Sequence, residues 1–354
     1  KLSTTFIPKG LIFMRNHEVV TAHRLLDEKG ALIEPGWSRS LVQIYDRNDI
    51  KKRKTRIKEW DYYYVMSHSN KIALCLTISD LSYLGMASVS IVNLENATEH
   101  TDSIIVPFTM GKTNLPPTSA VGDVKFKNKK LAMEFLNKGD YRVLRVDYPG
   151  FDGGKGLRAN VKLTDEPQDS MVIATPWAED KKAFYYNQKI DCLRASGKIE
   201  YDGRLITLDR ELDFAGLDWG RGVWTYDNVW YWGSGSGQVD GVPFGFNIGY
   251  GFGDTSAASE NVIFYDGVAH KFDDIVFNIS DNFTDPWTFK SSDGRFDMDF
   301  VPIIDRNALV DAKIIVTDQH QVFGKMSGTA VLDDGTKIQL KDFLCFAEKV
   351  HNKY

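Results

Sequence analysis

Short apolar runs alternate with polar positions along most of the chain, and turn residues interrupt them every ten residues or so. Such runs include Tyr62–Met66, Ile72–Ile78, Ala87–Leu94, Trp224–Trp232, Gly245–Tyr250 and Gly324–Leu332. Several are separated by Asp-Gly turns, as in Tyr201-Asp202-Gly203-Arg204, Ser292-Asp293-Gly294-Arg295 and Asp333-Asp334-Gly335-Thr336. Two strands bracketing Asp-Gly predict a hairpin. About eighteen such strands with almost no helix predict an antiparallel all-β fold, as sandwich or barrel. One segment breaks the pattern. Leu340, Phe343, Leu344, Ala347 and Val350 recur at helical spacing, which predicts a short C-terminal helix over 340–351.

The two halves of the chain resemble each other in layout. Residues 59–97 and 228–269 each begin with an aromatic strand, carrying Trp60, Tyr62 and Tyr64 in the first and Trp230 and Trp232 in the second. Each continues through a polar turn, a second strand, an aromatic-plus-glycine corner and a third apolar strand. An offset of about 170 residues, near half the chain, predicts a duplicated β unit. The seam falls at the polar, Pro-containing link Asp165-Glu166-Pro167-Gln168-Asp169, giving expected domains at 1–168 and 169–354.

Composition narrows the function classes. The chain has 354 residues, 43% of them hydrophobic, enough to fold around sizeable cores. A formal net charge of -5 argues against nucleic acid as a partner. The basic run Lys51–Lys54 reads as a solvated loop. No stretch reaches the ~18 apolar residues of a membrane span. Three distant cysteines, Cys75, Cys192 and Cys345, lack metal-ligand spacing and read as buried thiols. Their odd count points to a reducing, cytoplasmic compartment. Neither a nucleophile elbow, nor a zinc helix, nor a phosphate loop is present, so no cofactor or metal is expected.

Candidate chemistry concentrates in Leu217–Gly237, LDWGRGVWTYDNVWYWGSGSG, which holds four of the eight tryptophans. Strand alternation puts Trp230, Trp232, Ser234 and Ser236 on one face, with Tyr231 and three glycines on the other. Large rings beside small hydroxyls suit either a cavity wall or a solid core. Asp218 and Arg221 are charges in an apolar run and need partners: each other across Gly220, or Arg15, Glu260 or His320. His17, in Arg15-Asn16-His17-Glu18, and His320 are the candidate imidazoles. Glu260 follows a Gly/Ser-rich loop and opens a strand, which places it at a barrel mouth.

Arg15-Asn16-His17-Glu18, Gly36-Trp37-Ser38, Trp177, Asn187–Gly197, Asp218–Trp224 and Trp230–Ser234 together resemble the bacterial domain of unknown function 2804 family. The resemblance runs from about Arg15 to His351, with Arg194 standing where proline is expected. It implies kinship with tandem lipocalin-like proteins, among them carotenoid hydratases and AttH-like proteins. That kinship implies two consecutive antiparallel lipocalin-like (calycin) barrels. In the hydratases a Trp and an Asp of the barrel are associated with protonating an alkene, and by analogy Asp218 and Trp219 take a comparable place.

Two functions follow as expectations. One is a binding module for a small, largely apolar or mixed-polarity molecule, lined by Arg15, His17, Trp177, Trp219, Arg221, Trp224, Tyr226, Trp230, Trp232 and Asn247. The other is a cofactor-independent hydratase, lyase or isomerase, or a carbohydrate-active enzyme, with Asp218 or Glu260 as acid and Arg15, Arg221 or His320 in support.

Overall fold

The computed structural model describes residues 15–353 apart from 312, 314 and 315. Two antiparallel sheets dominate it. The first runs through β1 (Ile57–Ser67), β2 (Ile72–Asp80), β3 (Leu84–Asn93), β4 (Thr98–Pro107), β5 (Val124–Lys127), β6 (Ala132–Asn137), β7 (Arg142–Tyr148), β8 (Leu157–Thr164), β9 (Phe184–Tyr201) and β10 (Phe214–Val223). Their order across the sheet is β4-β3-β2-β1-β10-β9-β8-β7-β6-β5, with Gly36–Ser38, Met171–Pro176 and Arg204–Leu208 added at its margin.

The second sheet comprises β11 (Asp227–Val239), β12 (Val242–Tyr250), β13 (Val262–Tyr265), β14 (Val268–Lys271), β15 (Ile275–Asn278), β16 (Trp287–Ser291), β17 (Phe296–Asp311), β18 (Val316–Val331) and β19 (Lys337–Lys353). Its order is β14-β13-β12-β11-β19-β18-β17-β16-β15. Both sheets therefore share one plan. A four-stranded meander pairs its first strand with the last strand of the unit, and each sheet curls into a half-barrel. The change from one sheet to the other falls between Val223 and Asp227, not at residue 168. Strands β9 and β10, past the expected seam, hydrogen-bond in the first sheet.

The C-terminal helix expected over 340–351 is corrected: these residues form strand β19, paired with β11 and β18. A bulge explains the misleading spacing. Asp342 has φ +50° and the register with β18 shifts between Met326 and Gly328. One extra residue reverses the side-chain parity. Ile338 and Leu340 before it, and Phe343, Cys345 and Ala347 after it, all enter the same apolar cluster. Leu344 and Phe346 enter the other. A strand buried on both faces with a parity switch mimics a helical stripe. The lone α-helical element described is a single turn at Phe151–Gly154.

The interior of the second sheet is filled. Phe244, Phe246, Trp287, Phe289, Phe296 and Phe300 are all buried there; Phe244 meets Phe343, Phe246 meets Phe296, and Trp287 and Phe289 meet Phe300. Strands β1, β9 and β10 are buried on both faces, because one face lines the first half-barrel and the other meets the second sheet.

Candidate functional site

Strand parity decides where the Asp-Trp-Gly-Arg-Gly run sends its side chains. On β10, residues 216, 218, 220 and 222 face the second sheet, while Trp219 and Arg221 turn into the first half-barrel. The glycines are required by close approach: a Cβ at Gly216 would overlap the Tyr64 ring, and one at Gly220 the Trp60 indole. Arg221 is fully buried and donates to Asp61 Oδ1 at 2.9 Å and to the carbonyls of Trp60, Gly220 and Pro116, each at 2.8 Å. Its guanidinium lies 4.3 Å from the centroid of the Trp219 ring. This cluster braces the first half-barrel. Asp218 and Arg221 thus stand on opposite faces and do not pair.

Asp218 instead faces a polar layer between the sheets. Its Oδ1 accepts from Asn187 Nδ2 at 2.6 Å and lies 3.0 Å from Lys189 Nζ. That ammonium also sits 4.1 Å from the centroid of Trp232. Trp232 donates to Asn247 Oδ1 at 2.7 Å, and Asn247 Nδ2 donates to the Glu260 carbonyl at 2.9 Å. Glu260 completes the chain. It is buried, its Oε2 accepts from Tyr185 OH at 3.3 Å, and its Oε1 has no partner among the described residues. Burial, reinforced by Asp218 and opposed by Lys189 and Lys271, raises its carboxyl to about 7.

Two further carboxyls share the layer. Glu348 accepts from Trp230 Nε1 and Gln321 Nε2, both at 3.0 Å, and burial lifts it to about 7. Asp191 is aimed between the sheets by a bulge in β9, where Cys192 has φ +63°. It accepts from Tyr64 OH at 2.6 Å and Ser234 Oγ at 2.9 Å, and burial lifts it to about 6. Against these four carboxyls stand Lys189, Lys271 and Arg306, the last bonded to Ser90 and Gln321. Burial favours the protonated, proton-donating form of Glu260, Glu348 and Asp191 near neutrality.

The loop before β13 holds Glu260 from several sides. Lys271 Nζ donates to the carbonyls of Ser259 and Asn261, which flank it. Asn261 Oδ1 accepts from Gly249 N at 2.8 Å, and Asn16 Oδ1 accepts from Ser259 N at 3.1 Å. Beyond Tyr185 an aromatic cluster leads outward. Tyr185 stacks on Phe252 at 4.7 Å, and Trp224 meets Trp177 at 5.5 Å and Trp230 at 5.2 Å. Trp60 and Trp230 are half-buried and Tyr226 is 47% exposed, so solvent reaches this end.

The sequence-predicted residues therefore separate. Asp218, Trp232, Asn247 and Glu260 form one network, with Trp177, Trp224, Trp230 and Tyr226 toward its outer end. Trp219 and Arg221 lie on the far side of β10. Three candidates lie in other networks. Arg15 pairs with Asp273 and Asp274. His17 contacts Glu34 at 2.7 Å. His320 contacts Asp305 at 2.7 Å and stacks on Phe283. The tryptophan face of β11 looks at the first sheet, not into the second half-barrel. Two surface clefts, of about 340 and 480 Å³, lie away from this network. Tyr185, Lys189, Asp191, Lys271 and Glu348 were missed. Only those on β9 were advertised, by Asn187, Lys189 and Asp191 on alternate positions of an apolar strand.

The two curled half-barrel sheets resemble the fold of lipocalin-like proteins. A putative AttH from Nitrosomonas europaea superposes with a TM-score of 0.54 at 13% identity, covering 88% of this chain and 98% of that one. CghA, solved with Sch210972, gives a TM-score of 0.50 at 10% identity over 93% and 97% of the two chains. A kievitone hydratase from Nectria haematococca gives 0.47 at 9% identity over 94% and 98%. The chain belongs to the family described as a domain of unknown function (DUF2804), whose profile matches residues 16–354. Among curated proteins none matches it in sequence.

Proposed function

We propose that the protein binds a small, largely apolar molecule of mixed polarity at the aromatic end of the inter-sheet layer and that Glu260 protonates it. One observation carries this reading: a carboxyl sealed from bulk water, held near 7 by burial, with one oxygen unpartnered beside Tyr185. Such a group carries a proton it can donate near neutral pH. The fitting reaction is cofactor-independent. Glu260 gives its proton to one carbon of a carbon–carbon double bond. Aromatic faces stabilise the resulting cation. Water then adds, or a neighbouring proton leaves, and the carboxylate recovers a proton from that water or carbon. Lys189 pairs with Asp218, whereas Glu260 accepts only from the neutral Tyr185 hydroxyl. The likeness to CghA, solved with Sch210972, supports a fold able to hold a small organic molecule.

The test begins with native mass spectrometry of freshly purified protein for a retained terpenoid, polyketide or lipid. Wild type and Glu260→Gln should both hold the molecule, and wild type alone should convert it. A Gln variant that turns the molecule over at the wild-type rate removes Glu260 from the reaction. A binding site without catalysis is then what remains.

A further inference from the structure

The first half-barrel carries a second feature, remote from Glu260. The corner where β2 and β4 end and β3 begins forms a cleft of about 340 Å³ with β5. Ile78, Met86, Val106, Pro107, Phe108 and Phe126 supply an apolar lining. Phe108 is 72% exposed, a large ring left facing water at the lip. Ser79 also lines the cleft, is 97% buried by its 3% exposure, and its hydroxyl has no partner among the described residues. Lys112 lies at the rim, exposed and without an ion pair among the described residues.

The rim is preorganised. Asp80 is fully buried, and its Oδ2 accepts from Gly111 N and Thr113 Oγ1, both at 2.9 Å, while Oδ1 accepts from Ser82 N at 2.9 Å. These bonds fix the loop that carries Phe108, Lys112 and Thr113, so the cleft does not have to be ordered by its ligand.

The geometry points to a binding site for a small amphiphile with an apolar chain and a carboxylate head. The chain lies along Met86, Val106 and Phe126. The carboxylate takes the Ser79 hydroxyl as donor and the Lys112 ammonium as its counter-ion. An uncharged chain gains only the apolar contact, and an anion without a chain gains only a rim charge in water.

Calorimetric titration with octanoate and with octanol tests the assignment. Octanoate should bind wild type at submillimolar concentration and more tightly than octanol. Lys112→Glu, a surface change, should weaken octanoate about tenfold and leave octanol unchanged. Val106→Trp should fill the cleft and abolish both. Glu260→Gln should change neither, which separates this site from the inter-sheet layer. The assignment falls if octanoate fails to bind at millimolar concentration, or if Lys112→Glu leaves its affinity unaltered. It also falls if a folded Val106→Trp protein still binds, or if Glu260→Gln removes the binding.

Discussion

Replacing Glu260 with Gln should make the protein more stable at neutral pH. An unfolded glutamate releases its proton near the ordinary value of 4.5, whereas the folded chain keeps it until about 7. Below 4.5 both states hold the proton and the group has no effect on stability. Between these values the unfolded chain ionises alone, so the folded state loses stability as pH rises. Above about 7 the loss is complete and constant. At 1.36 kcal/mol per tenfold change, the gap corresponds to about 3 kcal/mol. Gln has nearly the same shape, keeps an oxygen for Tyr185 and has no titrating proton. Urea unfolding of both proteins at about pH 4 and about pH 8 measures the effect. The variant's advantage should grow by about 3 kcal/mol from the acid to the alkaline condition. Glu348 and Asp191 titrate in both proteins and drop out of the difference. An advantage that does not change with pH would refute the reasoning, because it would mean that Glu260 ionises as it does in water.

Three other outcomes follow from the geometry. Asp218→Asn should move the Glu260 titration to lower pH and Lys189→Met should move it higher, since Asp218 raises and Lys189 lowers that carboxyl; carbon NMR of labelled glutamate reads both, and shifts of the same sign would contradict the layer described. Lys189→Met alone should destabilise by roughly 3–5 kcal/mol, while Lys189→Met with Asp218→Leu should recover most of that loss, as a buried charge is dear only when left alone; a double variant as unstable as the single one defeats this. Gly220→Ala should destabilise by about 3 kcal/mol in a thermal or urea melt, because the new methyl overlaps the Trp60 ring across the β10–β1 pair; an unchanged melt would show that the indole can swing away.

Local pattern made much of the fold readable. Period-two alternation correctly grouped Trp230, Trp232, Ser234 and Ser236, and the Asp202-Gly203 turn does join β9 to the strand at 204–208. The same rule would have separated Asp218 from Arg221, since an odd spacing on a strand puts two residues on opposite faces. Long-range pairing was not readable. Glu348 reaches Trp230 across 118 residues of sequence, and nothing near Glu348 announces it. The β19 bulge at Asp342 defeated periodicity altogether, because one inserted residue turns an alternating strand into a helix-like sequence. Glu260 was visible as a loop carboxylate, but its burial depends on Lys271, Asn16 and Asn247 closing around it from three other segments.

Strands β1, β9 and β10 serve as a party wall: each carries the lining of one chamber on its front and half of the charged partition on its back. Severing the chain within Trp224-Thr225-Tyr226 would leave both fragments with a wet face of tryptophan and unpaired acid. The pieces should therefore refold only in each other's company, as mutually dependent complements.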